Sequence, residues 1–351
     1  MTTLIKKLKF NNTMNYITIK DVAKRLNLSV STISRAFNDK YDIKKETKDV
    51  ILETAKEMGY RPNPMAKKLI QRRSFNIGIV VPEFINGYFP EVIIGAQEIL
   101  FEKGYQVLIT QSNECFETEL KNVQTLENNM VDGLLLSISC ETSNTEYYQK
   151  LVKNGLPIVL FNRVNKDLNT SKVLFNDYKW AFFATEHLIT QGYKKIVCLK
   201  GADNLSLSHE RVRGFTDAFK KHKTIITKDK IIPTGFYAED GMRVAEAMIK
   251  NNDIPDAIFA CNDPTAIGAM KVFKKNGYRI PDDIAFVGFT ESKMADLIDP
   301  PLTSVSQPTL DIGREAAKLL IEQIENRTGS HLPQTVTLNG QLNIRESSVR
   351  I

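Results

Sequence analysis

Seven short or polar side chains fall within ten residues: Ser29, Val30, Ser31, Thr32, Ser34, Arg35 and Asn38. Compact side chains of this kind let a helix sink into the major groove of DNA, where a guanidinium such as that of Arg35 can bond guanine edges or phosphate. They need a helix held in place by a second one, and residues 18–38, TIKDVAKRLNLSVSTISRAFN, supply both. Thr18 caps the first helix together with Asp21, and Ile19, Ala23 and Leu26 recur at helical spacing to bury one stripe. Asn27 and Leu28 make the turn, Ser29 caps the second helix, and Ile33 and Phe37 point to the core. Small helical bundles without nucleic-acid roles share this spacing, so the motif gains its force from the residues C-terminal to it.

A third helix is expected from about Lys45 to Met58, with Ile51, Ala55 and Met58 on one face and Gly59 as its stop. Then comes YRPNPMAKKLIQRRS, residues 60–74. Pro62 and Pro64 bar continuation of the third helix, while Asn63 can cap a new two-turn helix, Pro64 to about Ile70. A helix that short is not stable alone and should order only against a partner helix and DNA. TIKDVAKRL, SVSTISRAFN and GYRPNPMAKKLI together resemble the signature of the LacI/GalR (lac repressor) family of bacterial transcription regulators, and the resemblance runs from Tyr16 to about Ser347. It implies that Thr18, the second-helix residues and Asn63, Ala66, Lys67 and Leu69 contact DNA. Two hinge helices, one per subunit, would enter the minor groove with Leu69 as a wedge between base steps. Leu69 could also be an ordinary apolar residue facing the body.

The charge distribution agrees. Residues 1–74 hold 17 Lys and Arg against 7 Asp and Glu, whereas the other 277 residues hold 30 against 34. A polyanion partner for the first segment accounts for that contrast better than a solvated surface does. Cys115, Cys140, Cys198 and Cys261 are far apart without a CxxC pair, and His187, His209, His222 and His331 are equally scattered. Neither a disulfide framework, a metal site nor a cofactor is expected. Residues 1–15 read as a disordered arm. No signal segment or membrane-length apolar run appears, so a cytoplasmic, nucleoid-associated protein without a membrane partner is expected.

From Phe75 onward, short apolar runs alternate with amphipathic helical stretches. Residues 76–81, 105–110, 133–137, 157–161, 195–199, 257–260 and 284–289 read as buried parallel strands. Helices lie between them, such as those near 89–103, 117–130, 180–190 and 264–275. The fold class expected is an N-terminal all-α helix-turn-helix headpiece plus an α/β two-lobed, periplasmic-binding-protein-like effector domain of doubly wound parallel sheets. The headpiece would span 16–61 and the hinge helix 62–74. The resemblance puts the N-lobe at 75–175 and 306–331 and the C-lobe at 176–303 and 334–347. Chain crossings near Asp177, Ser304 and Leu332 would be the hinges.

Ten residues fall just past strand ends or at helix starts and are candidates for an effector site: Tyr88, Phe89, Ser139, Asn162, Arg163, Arg211, Phe236, Asn262, Asp263 and Thr290. Aromatic faces stack on the C–H surface of a polyhydroxylated ring, while Arg, Asn and Asp bond its hydroxyls. Arg211 is expected to open a helix. Plainer uses exist: Asp263 could cap the next helix, Arg211 could pair with Glu210 or another carboxylate, and Phe236 could be core. At two places where the family usually has aspartate, this chain has Asn162 at one and Thr290 followed by Glu291 at the other. The effector could therefore be less amine-like or hydroxyl-rich, or could carry its own negative charge.

The expected function is sequence-specific DNA binding, most simply repression, at a pseudo-palindromic double-stranded operator. A homodimer controlled by a small-molecule effector, a sugar or related metabolite, would carry it out. A DNA-binding regulator without effector control is the closer rival. A solute-binding protein would need export; a nucleotide-dependent enzyme on such sheets is opposed by the lack of GxGxxG after the first strand and of GxxxxGK[ST], and no GxSxG nucleophile elbow appears.

Overall fold

Asp21 starts the first helix. Its Oδ2 accepts from the Thr18 backbone N–H at 2.8 Å and from the Thr18 hydroxyl at 2.7 Å. Helix α1 (Ile19–Leu26) ends on Asn27, whose left-handed φ of 53° turns the chain into α2 (Val30–Phe37). α3 (Lys45–Glu57) stops where Gly59 takes φ +72°, a conformation glycine adopts without strain. The computed structural model describes residues 17–37, 43–60, 73–224, 226–326 and 332–350. They divide into two compact units between Ser74 and Phe75. The core of the first unit is Val22, Ala23, Ile33, Ala36, Ile51 and Ala55. Ile19, Leu26, Phe37 and Met58, expected in that core, are only partly buried around it. Val22 takes the central place because the contact stripe of α1 runs along the 22–23 edge. Phe37 instead packs edge-on against Tyr60 at 5.3 Å.

In the second unit, β1 (Asn76–Val81), β2 (Gln106–Gln111), β3 (Gly133–Leu136), β4 (Ile158–Phe161) and β5 (Ser171–Phe175) form the N-lobe sheet with β11 (Thr335–Leu338). Their order is β11-β5-β4-β3-β1-β2, all parallel. The central strands are buried on both faces, as helix-covered parallel sheets require. β2, expected to be buried, is an edge strand and half exposed. The C-lobe sheet has the order β12-β10-β9-β8-β6-β7. It comprises β6 (Ile196–Lys200), β7 (Ile231–Pro233), β8 (Ala257–Ala260), β9 (Ala285–Phe289), β10 (Thr303–Ser306) and β12 (Gln341–Asn343). β12 runs antiparallel to β10.

Helices α4 (Tyr88–Glu102), α5 (Phe116–Asn128), α6 (Glu146–Lys153) and α11 (Thr309–Glu325) serve the first sheet. α7 (Asp177–Thr190), α8 (Ser206–Lys221), α9 (Ala238–Lys250) and α10 (Asp263–Lys275) serve the second. α4 and α11 pack backbone to backbone because Gly95 and Gly313 face each other's helix. A Cβ on either would lie 2.0 Å from the Leu310 carbonyl or 1.9 Å from the Val92 carbonyl. No helix among the described residues is long and apolar enough to cross a membrane.

The chain passes between sheets three times: after β5, after β10 and between β11 and β12. The sequence expectation that 334–347 belongs wholly to the C-lobe, with a crossing near Leu332, is corrected. Thr335–Leu338 extends the N-lobe sheet beside β5, and only Gln341–Asn343 returns to the C-lobe. Asn339 and Gly340 break the segment in two, and a Cβ at Gly340 would meet the Ser306 carbonyl at 1.8 Å. The third crossing therefore lies directly against the second.

Candidate functional site

Ser29 organises the exposed end of α2. Its Oγ accepts from the Thr32 N–H at 3.1 Å and shares hydrogen bonds with the Ser31 and Thr32 hydroxyls at 2.7 and 2.8 Å. Val30, Ser31 and Arg35 are exposed, and Thr32 and Ser34 are half-buried. The outward surface of α2 is thus short, hydroxylated and interrupted by one long cation, the shape a groove-reading helix needs. Thr18 is exposed and bound to Asp21, whose carboxyl those hydrogen bonds hold below the usual aspartate range. Asn38, Asn63, Ala66, Lys67 and Leu69, and with them the hinge helix and the 1–15 arm, lie outside the described residues.

In the second unit a cavity of about 420 Å³ opens where β1, β4, β7, β8 and β9 end. A carboxyl-end crevice is where doubly wound sheets present ligands. Tyr88, Phe89, Asn162, Arg163, Arg211, Phe236, Asn262 and Thr290, eight of the ten expected residues, line it. Arg163 donates from Nη1 to both carboxylate oxygens of Glu114 at 2.7 Å and lies over the rings of Phe236 and Phe89 at 4.8 and 5.6 Å. Because Phe89 and Arg163 come from the N-lobe and Phe236 from the C-lobe, this stack spans the crevice. Arg211 does not open α8; it is the sixth residue of that helix, set inward to meet Asp177. Its Nε donates to Asp177 Oδ1 at 2.8 Å, Nη1 to the Cys261 carbonyl, and its plane covers Phe289 at 4.0 Å. Burial raises the Asp177 carboxyl, and the Arg211 charge opposes that shift. Asp177 also stands at the first crossing between the sheets.

Asn262 caps α10, accepting from the Thr265 N–H at 3.0 Å, and its Nδ2 donates to the Phe236 carbonyl at 2.7 Å. It therefore fixes the loop that carries the aromatic wall. Asn162 and Thr290 both have positive φ, 57° and 85°. Asn tolerates this region, whereas a β-branched residue there is strained, which marks the turn after β9 as held by its surroundings. Glu291 Oε2 is buried at the cavity without a hydrogen-bond partner among the described residues, and the Tyr88 hydroxyl beside Asn162 and the Ser292 hydroxyl beside Asp263 are buried there too. Such groups call for a ligand or water. Burial, and next the Asp177 charge, push the Tyr88 hydroxyl far above its usual range, so it stays a neutral donor.

Two expected residues are not at the cavity. Ser139 is turned inward, its N–H donating to Glu119 at 2.5 Å and its hydroxyl bonded to Thr142 at 2.8 Å. The buried Glu119 carboxylate draws that loop away from the crevice. Asp263 lies behind the wall, accepting from the Ser304 hydroxyl at 2.6 Å and the Ser292 N–H at 2.5 Å. Burial pushes its carboxyl up to about 7. Conversely, the sequence assigns no role to Glu83, Glu91 and Lys293 on the lining, shows Glu291 only as what stands where the family has aspartate, and does not reveal Glu114 and Asp177 as partners of the arginines. Position past β1 and β9 could have flagged Glu83 and Glu291. Nothing local could have flagged the partners, which are 49 and 34 residues away.

The profile of bacterial regulatory proteins of the lacI family matches residues 18–63, and that of the periplasmic binding protein-like domain matches 185–348. The ribose operon repressor of Halalkalibacterium halodurans is 32% identical over 310 residues, 88% of this chain and 91% of the relative. The chain belongs to the LacI family of bacterial regulatory proteins. Another LacI-family relative, the HTH-type transcriptional repressor PurR of Photobacterium profundum, is 30% identical over 94% of this chain and 98% of its own. Among solved structures, a complex of the transcriptional regulator CelR with cellobiose superposes with a TM-score of 0.72 at 27% identity, covering 94% of this chain and 99% of the other. This LacI-family chain is a DNA-binding transcriptional regulator with a helix-turn-helix headpiece and a two-sheet effector unit.

Proposed function

We propose that the chain is a homodimeric repressor, cytoplasmic and acting on the nucleoid, whose hold on a pseudo-palindromic operator is switched by a small hydroxylated metabolite bound between the lobes. It carries no catalytic role in this reading. The observation that supports it most is the pairing of Arg211 with Asp177, because it ties a ligand-facing cation to a crossing about which the lobes can turn. A ligand touching the wall past β1 and β4 and the wall past β7, β8 and β9 favours one lobe angle, and a difference in affinity between two angles shifts the equilibrium between them. The cellobiose complex of the CelR regulator supports a carbohydrate-sized occupant, as does the name of the ribose operon repressor relative. The division proposed is arm 1–15, headpiece 16–61, hinge helix 62–74 with Leu69 wedged in the minor groove, and then the two lobes, with 335–338 in the first.

The test is fluorescence anisotropy of the full chain on duplexes selected from random sequence, with and without a metabolite panel. Selection of a symmetric site and a metabolite that changes its apparent Kd are expected. Equal affinity for symmetric and scrambled duplexes would remove the operator reading. A symmetric site indifferent to every metabolite would leave a regulator without effector control.

A further inference from the structure

We infer that Glu83 makes the cavity selective against anions, so that the effector is an uncharged, donor-rich molecule and not its phosphorylated counterpart. The inference rests on the metabolite-controlled reading above and adds the ligand's charge. Both arginines that line the cavity already have a buried counter-charge: Arg163 on Glu114, with side-chain exposures of 6% and 14%, and Arg211 on Asp177, with 5% and 11%. Glu291 is paired with Arg345, and Glu91 lies 3.6 Å from Lys293. Glu83 differs from all of these. It is 4% exposed and lines the cavity, and its carboxylate accepts only from the Asn86 N–H at 2.9 Å and the Asn86 amide at 3.1 Å. No ion pair holds it among the described residues.

Once the pairs are matched, the lining keeps one carboxylate in excess. A phosphoryl group brought there would meet an uncompensated like charge at low dielectric, and Lys293, the lining cation not held by a buried carboxylate, has its side chain 83% exposed and is screened by water. A neutral polyol or nucleoside finds acceptors instead, because Glu83 and Glu291 Oε2 face the space it would fill, with the Tyr88 and Ser292 hydroxyls beside them. Asn162 and Thr290 in place of two family aspartates leave an anionic effector open on the sequence alone; the carboxylates of Glu83 and Glu291, each just past a strand end, weigh against one.

The experiment is isothermal titration calorimetry of the full chain with three pairs of probes: ribose and ribose phosphate, glucose and glucose phosphate, adenosine and adenosine monophosphate. The same titrations are run on Glu83→Gln, which keeps an acceptor for the Asn86 N–H. Like-charge contacts at interfaces cost enough that the neutral member of a binding pair should bind roughly a hundredfold more tightly than the phosphorylated one. Glu83→Gln should narrow that gap by about tenfold or more through tighter binding of the phosphorylated member. A phosphorylated member that binds the parent chain as tightly as its neutral partner would overturn the inference. So would a gap unchanged in a Glu83→Gln protein whose thermal unfolding matches the parent. Silence from all six probes would instead remove the metabolite reading, and this inference with it.

Discussion

Among the described residues, six buried apolar side chains form the core of the headpiece, whereas each of the four cores of the effector unit contains at least fifteen. The headpiece also keeps its polar chemistry on the outside, in Ser31 and Arg35, while the effector unit buries its arginines and carboxylates as pairs. A small unit with little surface to bury is marginal, and its specificity comes from exposed groups that cost little to display. A large unit can hold charges in its interior. The headpiece is therefore sensitive to any loss of packing, and the effector unit to any loss of a charge partner.

Removing a charge partner should have the largest effect. Arg211→Ala leaves Asp177 buried without its cation and should destabilise the effector unit by about 3–5 kcal/mol. Denaturant unfolding followed by Trp180 fluorescence reads it. A loss of metabolite response at unchanged stability would mean that the pair is less buried in solution than described. Next comes packing: Ile33→Ala should cost the headpiece about 2–5 kcal/mol and abolish operator binding. Calorimetry should show the effector unit unfolding at its parental temperature, and a matching drop there would show that the two units unfold as one. Arg35→Ala should cost about 1–3 kcal/mol of discrimination at one position per half-site if it reads a base. Competition among single-base variants of the operator distinguishes this from a uniform loss, which would make it a phosphate contact.

The last contrast is a difference in the sign of pH dependence. Asp263 has its carboxyl raised by burial from 3.8 to about 7. Its contribution to stability is full below 3.8 and is lost as pH rises toward about 7, so the effector unit should weaken through that window. Asp21 is held low by Thr18, so the headpiece keeps that contribution above the ordinary aspartate value and loses it as pH falls. Unfolding curves for the full chain and Asp263→Asn, taken across the window, should show the slope of the effector unit flatten in the variant while that of the headpiece does not change. An unaltered effector-unit slope would assign the dependence to another group.

The same contrast explains what the sequence made legible. Helices α1 to α3 rest on contacts three and four residues apart, so their caps, turn and stop could be read in order. The central strands appeared as apolar runs. β5 and β10 did not, because SKVLF and TSVS are short and partly polar, and Asn339-Gly340 went unread as a break. Cavity residues that follow strand ends were found by position. Their partners were not, since Glu114 reaches Arg163 from a turn where Asn113 and Glu114 both take positive φ, and only the folded sheet brings the two together.

The three crossings set an order of events during synthesis. Ile312, Ala316 and Leu320 of α11 complete the same core as Ile77, Ile79 and Leu135, so the first sheet lacks one covering helix until residues 309–325 have been made. The second sheet, β10 included, has by then already been translated and is waiting for its β12 edge and for the buried Ser347 that bonds Phe286 and Thr303. The lobe that begins first along the messenger is thus among the last parts to close, and a ribosome that stalls before codon 309 releases a chain whose apolar N-lobe face is open to chaperones and proteases.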